Sequence, residues 1–282
     1  MTTVYSPKDL SEVLLRLGDR QSELKILAGG TDLMVLMNAR QLEAGEFLDI
    51  WGVDALRGIR EEGDSVRIGA LTTFSEIVRS PLVGRHMPSL VAASKTIGAI
   101  QIQNRGTIGG NVVNASPAGD SLPVLAAYDA QLELGSARRI RLVDFNHFYL
   151  GYRTTALAPD ELLLAVHLPK IKSGERDFFW KVGTRRAQAI SKTVMAVKAT
   201  VGGEVIESIS IGVGSVAPTV IRTRSTEALL TQRKISIDLI ESARISIAGE
   251  VSPITDLRSN EHYRRTVTGN ILARILRGLS KR

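Results

Sequence analysis

The chain has 282 residues, 44% hydrophobic and 23% charged, with a formal net charge of +7; it can bury one large core or a few small ones, and its charge content is that of an ordinary globular protein. Cysteine is absent, which excludes disulfides, thiolate catalysis and any zinc or iron–sulfur centre held by cysteines of this chain. No apolar run approaches the roughly 20 residues of a membrane span, and Met1–Ser6 does not read as a leader, so a cytoplasmic protein without a membrane span is expected.

In chain order, Ser6-Pro7-Lys8-Asp9 predicts a helix start with Ser6 as N-cap and Pro7 in the first turn. Leu10, Val13, Leu14 and Leu17 give that helix its apolar stripe, and Gly18-Asp19 ends it. Lys25–Ala28 predicts a short strand running into Gly29-Gly30, followed by a helix from Leu33 to Arg40 and a strand at Phe47–Ile50. Gly63-Asp64 joins two strands, 58–62 and 65–68, as a hairpin. Helices are expected near 73–78 and 88–95, a loop over Gly98–Asp120, and a helix over Leu122–Ala127. A second hairpin pairs 131–134 with 139–142, and another strand covers 161–168. From about Asp177, strands at 178–182, 194–201 and 208–213 precede helices at 225–230, 237–247 and 262–279. Strands followed by helices predict an α+β layer with helices on one face of a sheet. The chain therefore divides into 1–175, with subdomains of about 1–55 and 56–175, and 176–282.

The C-terminus is basic: Arg258, Arg264, Arg265, Arg274, Arg277, Lys281 and Arg282 face only Glu261. Tyr263 is the one aromatic among them, so an amphipathic helix with a solvated basic face fits better than a nucleic-acid surface. His86, His147, His167 and His262 show no metal-ligand spacing.

Two glycine-rich segments carry the chemistry. Ala28-Gly29-Gly30-Thr31-Asp32 sits between a strand and a helix, where glycine lets successive N–H groups approach an anion and the helix start adds partial positive charge. A Gly-Gly turn in that place is also a common steric device. The second segment, Arg105-Gly106-Thr107-Ile108-Gly109-Gly110-Asn111 and on to Asp120, mixes glycines with Thr, Asn, Ser and Asp. Its polar groups need partners, and two such segments suit a pyrophosphate held between them. Neither is a G-x-G-x-x-G fingerprint or a P-loop, so a nicotinamide Rossmann domain and a P-loop NTPase both lose ground.

Ala28-Gly29-Gly30-Thr31-Asp32-Leu33 and Thr107-Ile108-Gly109-Gly110-Asn111 resemble the paired FAD-binding motifs of the flavin subunit of molybdenum hydroxylases, the family of the carbon monoxide dehydrogenase and xanthine dehydrogenase medium subunits. The similarity continues through Asp49-Ile50, Leu56–Ile59, Ile68–Thr73, Val216–Thr219 and Pro253–Arg258, and so covers essentially the whole chain. It implies a two-subdomain FAD-binding (PCMH-type) fold followed by a C-terminal sheet-plus-helices domain. By matching position it implies cofactor contacts from Ala28 to Asp32 and from Thr107 to Asn111, with further contacts at Ile97, Asp120, Leu162 and Lys181.

In that reading Ile97 and Leu162 give apolar packing, Asp120 accepts from a polar hydroxyl or adenosine group, and Lys181 places a cation near the flavin ring. The residues alone leave other roles open: core packing for Ile97 and Leu162, a solvated strand-edge charge for Lys181, a helix cap for Asp120. No cysteine exists and no histidine lies in either glycine segment, so the FAD is expected to be non-covalent. The resemblance implies a large molybdopterin-binding subunit and a small subunit with [2Fe–2S] clusters as partners, in a heterotrimer or its dimer. It requires no catalytic acid or base of this chain. The alternative is a stand-alone FAD-dependent oxidase.

Overall fold

Short apolar strands alternating with helices build a parallel sheet from the first fifty residues. In the computed structural model, which describes residues 2–19, 24–42, 45–185 and 188–280, this unit runs β1 (Thr3–Tyr5), α1 (Leu10–Gly18), β2 (Lys25–Leu27), α2 (Leu33–Asn38) and β3 (Glu46–Asp49). The strand order is β1-β3-β2. Val13 and Leu14 of α1 are buried against Leu48 and Ile50, with Leu10 and Leu17 packed beside them. The N-cap of α1 is Asp9, not Ser6: its carboxylate accepts from the Ser11 N–H at 2.7 Å. A charged acceptor next to the apolar stripe serves the free N–H groups and the helix dipole better than a hydroxyl further out. Pro7 therefore lies before the helix.

The middle unit is antiparallel. It runs β4 (Ile59–Glu62), β5 (Ser65–Gly69), α3 (Phe74–Arg79), α4 (Pro81–His86), α5 (Pro88–Ser94), α6 (Ile100–Gln103), α7 (Ile108–Asn114), α8 (Leu122–Ala127), β6 (Gln131–Gly135), β7 (Ile140–Asp144), β8 (Tyr149–Gly151), β9 (Thr154–Thr155) and β10 (Leu162–Pro169). The sheet order is β4-β5-β10-β6-β7, so the expected hairpins lie on either side of the late strand β10. α3 starts on a capping box in which Thr73 and Glu76 satisfy each other's backbone N–H groups. The stretch expected as a loop over Gly98–Asp120 holds two short helices, α6 and α7. Thr107 caps the second by accepting from the Gly110 N–H at 3.1 Å, which turns the glycine segment into the first turn of a helix.

The third unit runs β11 (Glu175–Val182), β12 (Thr193–Gly202), β13 (Val205–Gly214), β14 (Ile221–Arg222), α9 (Arg224–Leu230), β15 (Arg233–Lys234), α10 (Ile237–Glu250) and α11 (Glu261–Leu279). Strands β11 to β14 neighbour one another in chain order, and β15 pairs with β13. Met195 and Val197 of β12 pack with Leu239, Ala243, Leu272 and Leu276 of α10 and α11. Ala196, on the opposite face, belongs to the core of the middle unit. A strand covered on both faces reads as a continuous apolar run, as Val194–Val197 does. Helix α8 is buried along its whole length because it fills the space between the two sheets, against β12 and β13. Asp177 of β11 adds a polar tie, accepting from the Ser89 N–H and the Tyr128 hydroxyl, each at 2.8 Å.

The basic helix is less solvated than its charge predicts. Arg264 is buried, paired with Asp256 at 2.7 Å and donating to the Ser215 carbonyl at 2.8 Å. Arg265 donates to the Ala248 carbonyl, and Arg274 lies over the Trp180 ring. Lys281 and Arg282 lie outside the described residues.

Candidate binding site

A cleft of about 410 Å³ opens between the first and middle units, a size suited to a small organic ligand. One wall is the segment Ala28–Leu33, and the other is the start of α7 with Gly106 and Thr107. Ile26, Ile50, Leu71, Phe74 and Leu163 make much of the lining apolar.

The first wall is unusual in its hydrogen bonding. Among the described residues, none accepts from the N–H groups of Gly29, Gly30, Thr31, Asp32 or Leu33, and all five residues line the cleft. These residues are half-buried to exposed, and a run of backbone donors without a protein partner on a cleft wall suits the oxygens of an anion. Gly30 has φ +74°, a left-handed conformation that glycine adopts without steric cost. Gly29 is required by proximity: a Cβ there would lie 1.8 Å from the Arg105 carbonyl oxygen. The two glycine segments therefore meet backbone to backbone.

The second wall works differently. Its N–H groups are already used: Ile108 donates to the Thr72 carbonyl at 3.0 Å, Gly109 to Ala70 at 2.9 Å, Gly110 to the Thr107 hydroxyl and Asn111 to the Thr107 carbonyl. The symmetrical pair of phosphate cradles expected from the sequence is thus replaced by one donor-rich wall and one packed helix start. Gly109 lets α7 sit against the middle sheet, since a Cβ there would come within 2.7 Å of Ala70. The Asn111 side-chain carbonyl accepts from the Ser121 hydroxyl at 2.7 Å.

Of the residues singled out from the sequence, Ala28, Gly29, Gly30, Thr31, Asp32, Ile97, Thr107, Gly109, Gly110, Asn111 and Leu162 line this cleft. Ile108, Asp120 and Lys181 do not. Ile108 is fully buried in the middle core, because the first turn of α7 aims it at the sheet. Asp120 and Lys181 pair with each other at 2.5 Å, and their side chains are only 7% and 11% exposed. Lys181 also donates to the carbonyl of Thr96, the neighbour of Ile97, and Asp120 accepts from Thr96 and Ser191. Burial pushes the Asp120 carboxyl above the usual carboxylate range, against the pull of the Lys181 ammonium and the two hydroxyls. Lys181 is therefore no solvated edge charge, although β11 is an edge strand, and Asp120 does not cap α8.

Sequence reasoning missed Ile26, Ile50, Leu157 and Glu161. The two isoleucines look like strand core, and Leu157 lies in a stretch without periodicity. Glu161 lines the cleft, and the Arg141 guanidinium holds its carboxyl below the usual range. A depressed carboxyl contributes stability that is present above its unfolded value and is lost as pH falls through the folded one. Arg141→Met is expected to cost ~2 kcal/mol at neutral pH, between the exposed and buried limits for ion pairs. It should also flatten the acid side of a Tm-against-pH curve. An unchanged curve would rule the pair out as a stabilising contact.

Comparison with known proteins converges on one group. Residues 1–171 match the family model described as the FAD binding domain in molybdopterin dehydrogenase, and residues 178–279 match the CO dehydrogenase flavoprotein C-terminal domain. The chain is 30% identical over 272 residues to the carbon monoxide dehydrogenase medium chain of Hydrogenophaga pseudoflava, covering 96% of this chain and 94% of that one. It is 32% identical over 259 residues to the putative xanthine dehydrogenase FAD-binding subunit of Escherichia coli K12, covering 89% and 88%. A solved structure of the Hydrogenophaga carbon monoxide dehydrogenase, in a form lacking the Mo-pyranopterin moiety, superimposes with a TM-score of 0.93 at 30% identity, covering 97% of this chain and 95% of that one.

Proposed function

We propose, since this chain belongs to the FAD-binding family of molybdopterin dehydrogenases, that it is the flavin subunit of a multi-subunit molybdenum hydroxylase. It takes electrons from iron–sulfur clusters on a partner and delivers them to an external acceptor. The observation that carries this reading is the run of five N–H groups from Gly29 to Leu33 with no acceptor among the described residues, a ready set of donors for pyrophosphate oxygens. FAD, when bound, supplies the conversion of single-electron arrivals into a two-electron departure. The chain's own work is to bind and orient it.

Ala28, Gly29, Gly30, Thr31 and Asp32 would hold the pyrophosphate, opposite Thr107, Gly109, Gly110 and Asn111. Ile97 and Leu162 would pack against the ring systems. Ile108 fixes α7 from behind, and the mutually neutralising Asp120–Lys181 pair holds Thr96, the neighbour of Ile97, in place behind the lining. Attachment is read as non-covalent: among the described residues no histidine lines the cleft, and the sequence has no cysteine. The FAD-binding part comprises residues 1–175, with subdomains of about 1–55 and 56–175, and the C-terminal domain comprises 176–282.

A large molybdopterin subunit and a small [2Fe–2S] subunit complete the complex, as a heterotrimer or its dimer, in the cytoplasm. Among the described residues no helix is long and apolar enough to cross a membrane. The relatives are medium chains and subunits of larger assemblies, which disfavours a stand-alone FAD-dependent oxidase. Protein purified from its native source is expected to be yellow, to release FAD in acid, and to elute with molybdenum and iron. A colourless chain that takes up no added FAD would overturn the reading. So would a metal-free preparation that oxidises an organic substrate with FAD alone.

A further inference from the structure

The cleft has walls from two different units, which share a buried apolar cluster that includes Leu48 and Val53 of the first unit and Leu71 and Leu164 of the middle one. A second tie lies nearer the solvent, a group of three side chains, none of which lines the cleft. Trp51 follows β3 in the first unit. Arg105 follows α6 in the middle unit, and its guanidinium lies over the Trp51 ring, 3.8 Å from the centroid. Arg57 lies over the same ring at 4.4 Å and donates to the carbonyls of Trp51, at 2.6 Å, and Leu71, at 3.3 Å. Leu71 is a cleft residue, and Arg105 carries the carbonyl against which Gly29 packs. Any shift of Trp51 relative to Arg105 is thus passed directly to the donor-rich wall.

The Arg105 guanidinium has no hydrogen bond or ion pair among the described residues, so its stacking on the indole is the contact that fixes it. A guanidinium over an indole face is attracted by the ring quadrupole, more strongly where water is partly excluded. Trp51 is half-buried here.

We infer that Trp51, Arg57 and Arg105 form a clasp across the cofactor cleft that governs how slowly FAD leaves; this rests on the flavin reading above. These are positioning residues, acting on the width of the cleft and not on the cofactor directly. The test is the rate of FAD release from the full chain after dilution, followed by recovery of flavin fluorescence, in the wild type, Arg105→Met, Arg105→Lys, Trp51→Leu and the Arg105→Met/Trp51→Leu double variant. Unfolding of each apo protein is measured alongside.

Arg105 is exposed and methionine keeps its stem, so Arg105→Met is expected to unfold like the wild type yet release FAD about fivefold faster. Lysine, which keeps the charge but not the planar stack, should restore part of the difference. The double variant should release FAD no faster than the faster single one, because both changes break one contact. Release at the wild-type rate in Arg105→Met overturns the clasp. So does a lysine no better than methionine, or additive effects, which would make Arg105 a direct ligand contact. A wild type that takes up no FAD overturns the flavin reading and the clasp with it, and is distinguished from the other outcomes by the first measurement.

Discussion

Alanine at Gly29 is expected to lower FAD affinity by about a hundredfold, the largest effect of any single methyl group in the cleft. The added Cβ would stand 1.8 Å from the Arg105 carbonyl oxygen and 2.6 Å from its carbon. Both are backbone atoms, so no rotamer change relieves the overlap and one wall must move. On one side that wall carries the five N–H groups with no acceptor among the described residues. On the other it is tied to α7, whose N–H groups are fixed by Thr72, Ala70 and Thr107. The free segment is the one that gives way, and the donors leave the positions in which they converge on one ligand. Gly18→Ala is the control, because nothing lies within 4 Å of a Cβ at that helix end. Titrating the apo proteins with FAD and following flavin fluorescence measures both. Wild-type affinity in Gly29→Ala would remove the Ala28–Leu33 segment from the site.

The parts of the fold that follow local periodicity could be read from residues alone. Residues 194–201 give a strand, Gly63-Asp64 a hairpin, and Leu10, Val13, Leu14 and Leu17 one helix face; that the strand is covered on both faces is set by α8 from the middle unit. The Ala28–Asp32 segment could be singled out as a candidate ligand turn only together with the second glycine segment, because a Gly-Gly step between strand and helix is by itself a common steric device. What stayed hidden was set by partners distant in sequence. Gly109-Gly110 looks like loop until Thr107 caps the turn and Ala70 is found within contact of Gly109. Asp120 and Lys181 are 61 residues apart, and neither position indicates that the other neutralises it. Which backbone donors remain free depends on Ala70, Thr72 and Thr107 together. Glycine content cannot distinguish a donor-rich wall from a packed one.

Lys181→Met tests the other buried feature of the site, and its cost should depend on pH. The substitution keeps the length of the side chain and removes the ammonium from a carboxylate that is only 7% exposed. Breaking a buried pair from one side costs roughly 3–5 kcal/mol. The hydroxyls of Ser191 and Thr96 remain as donors to Asp120, so the lower end, about 3 kcal/mol at neutral pH, is expected. Without the cation, burial alone dominates and holds the folded Asp120 carboxyl above its ordinary value of 3.8. A group whose folded value is raised contributes stability that is fully present below the unfolded value and is lost as pH rises through the folded one. The variant should therefore lose most stability at neutral and alkaline pH and approach the wild type on acidification, as Asp120 takes up a proton. Adding Asp120→Asn removes the stranded charge, so the double variant should be more stable at neutral pH than Lys181→Met alone. Denaturant unfolding across the acid-to-neutral range measures all three proteins. A loss in Lys181→Met that is constant with pH, or a double variant weaker than the single one, would mean that Lys181 stabilises the β11 edge by packing of its stem and not by its charge.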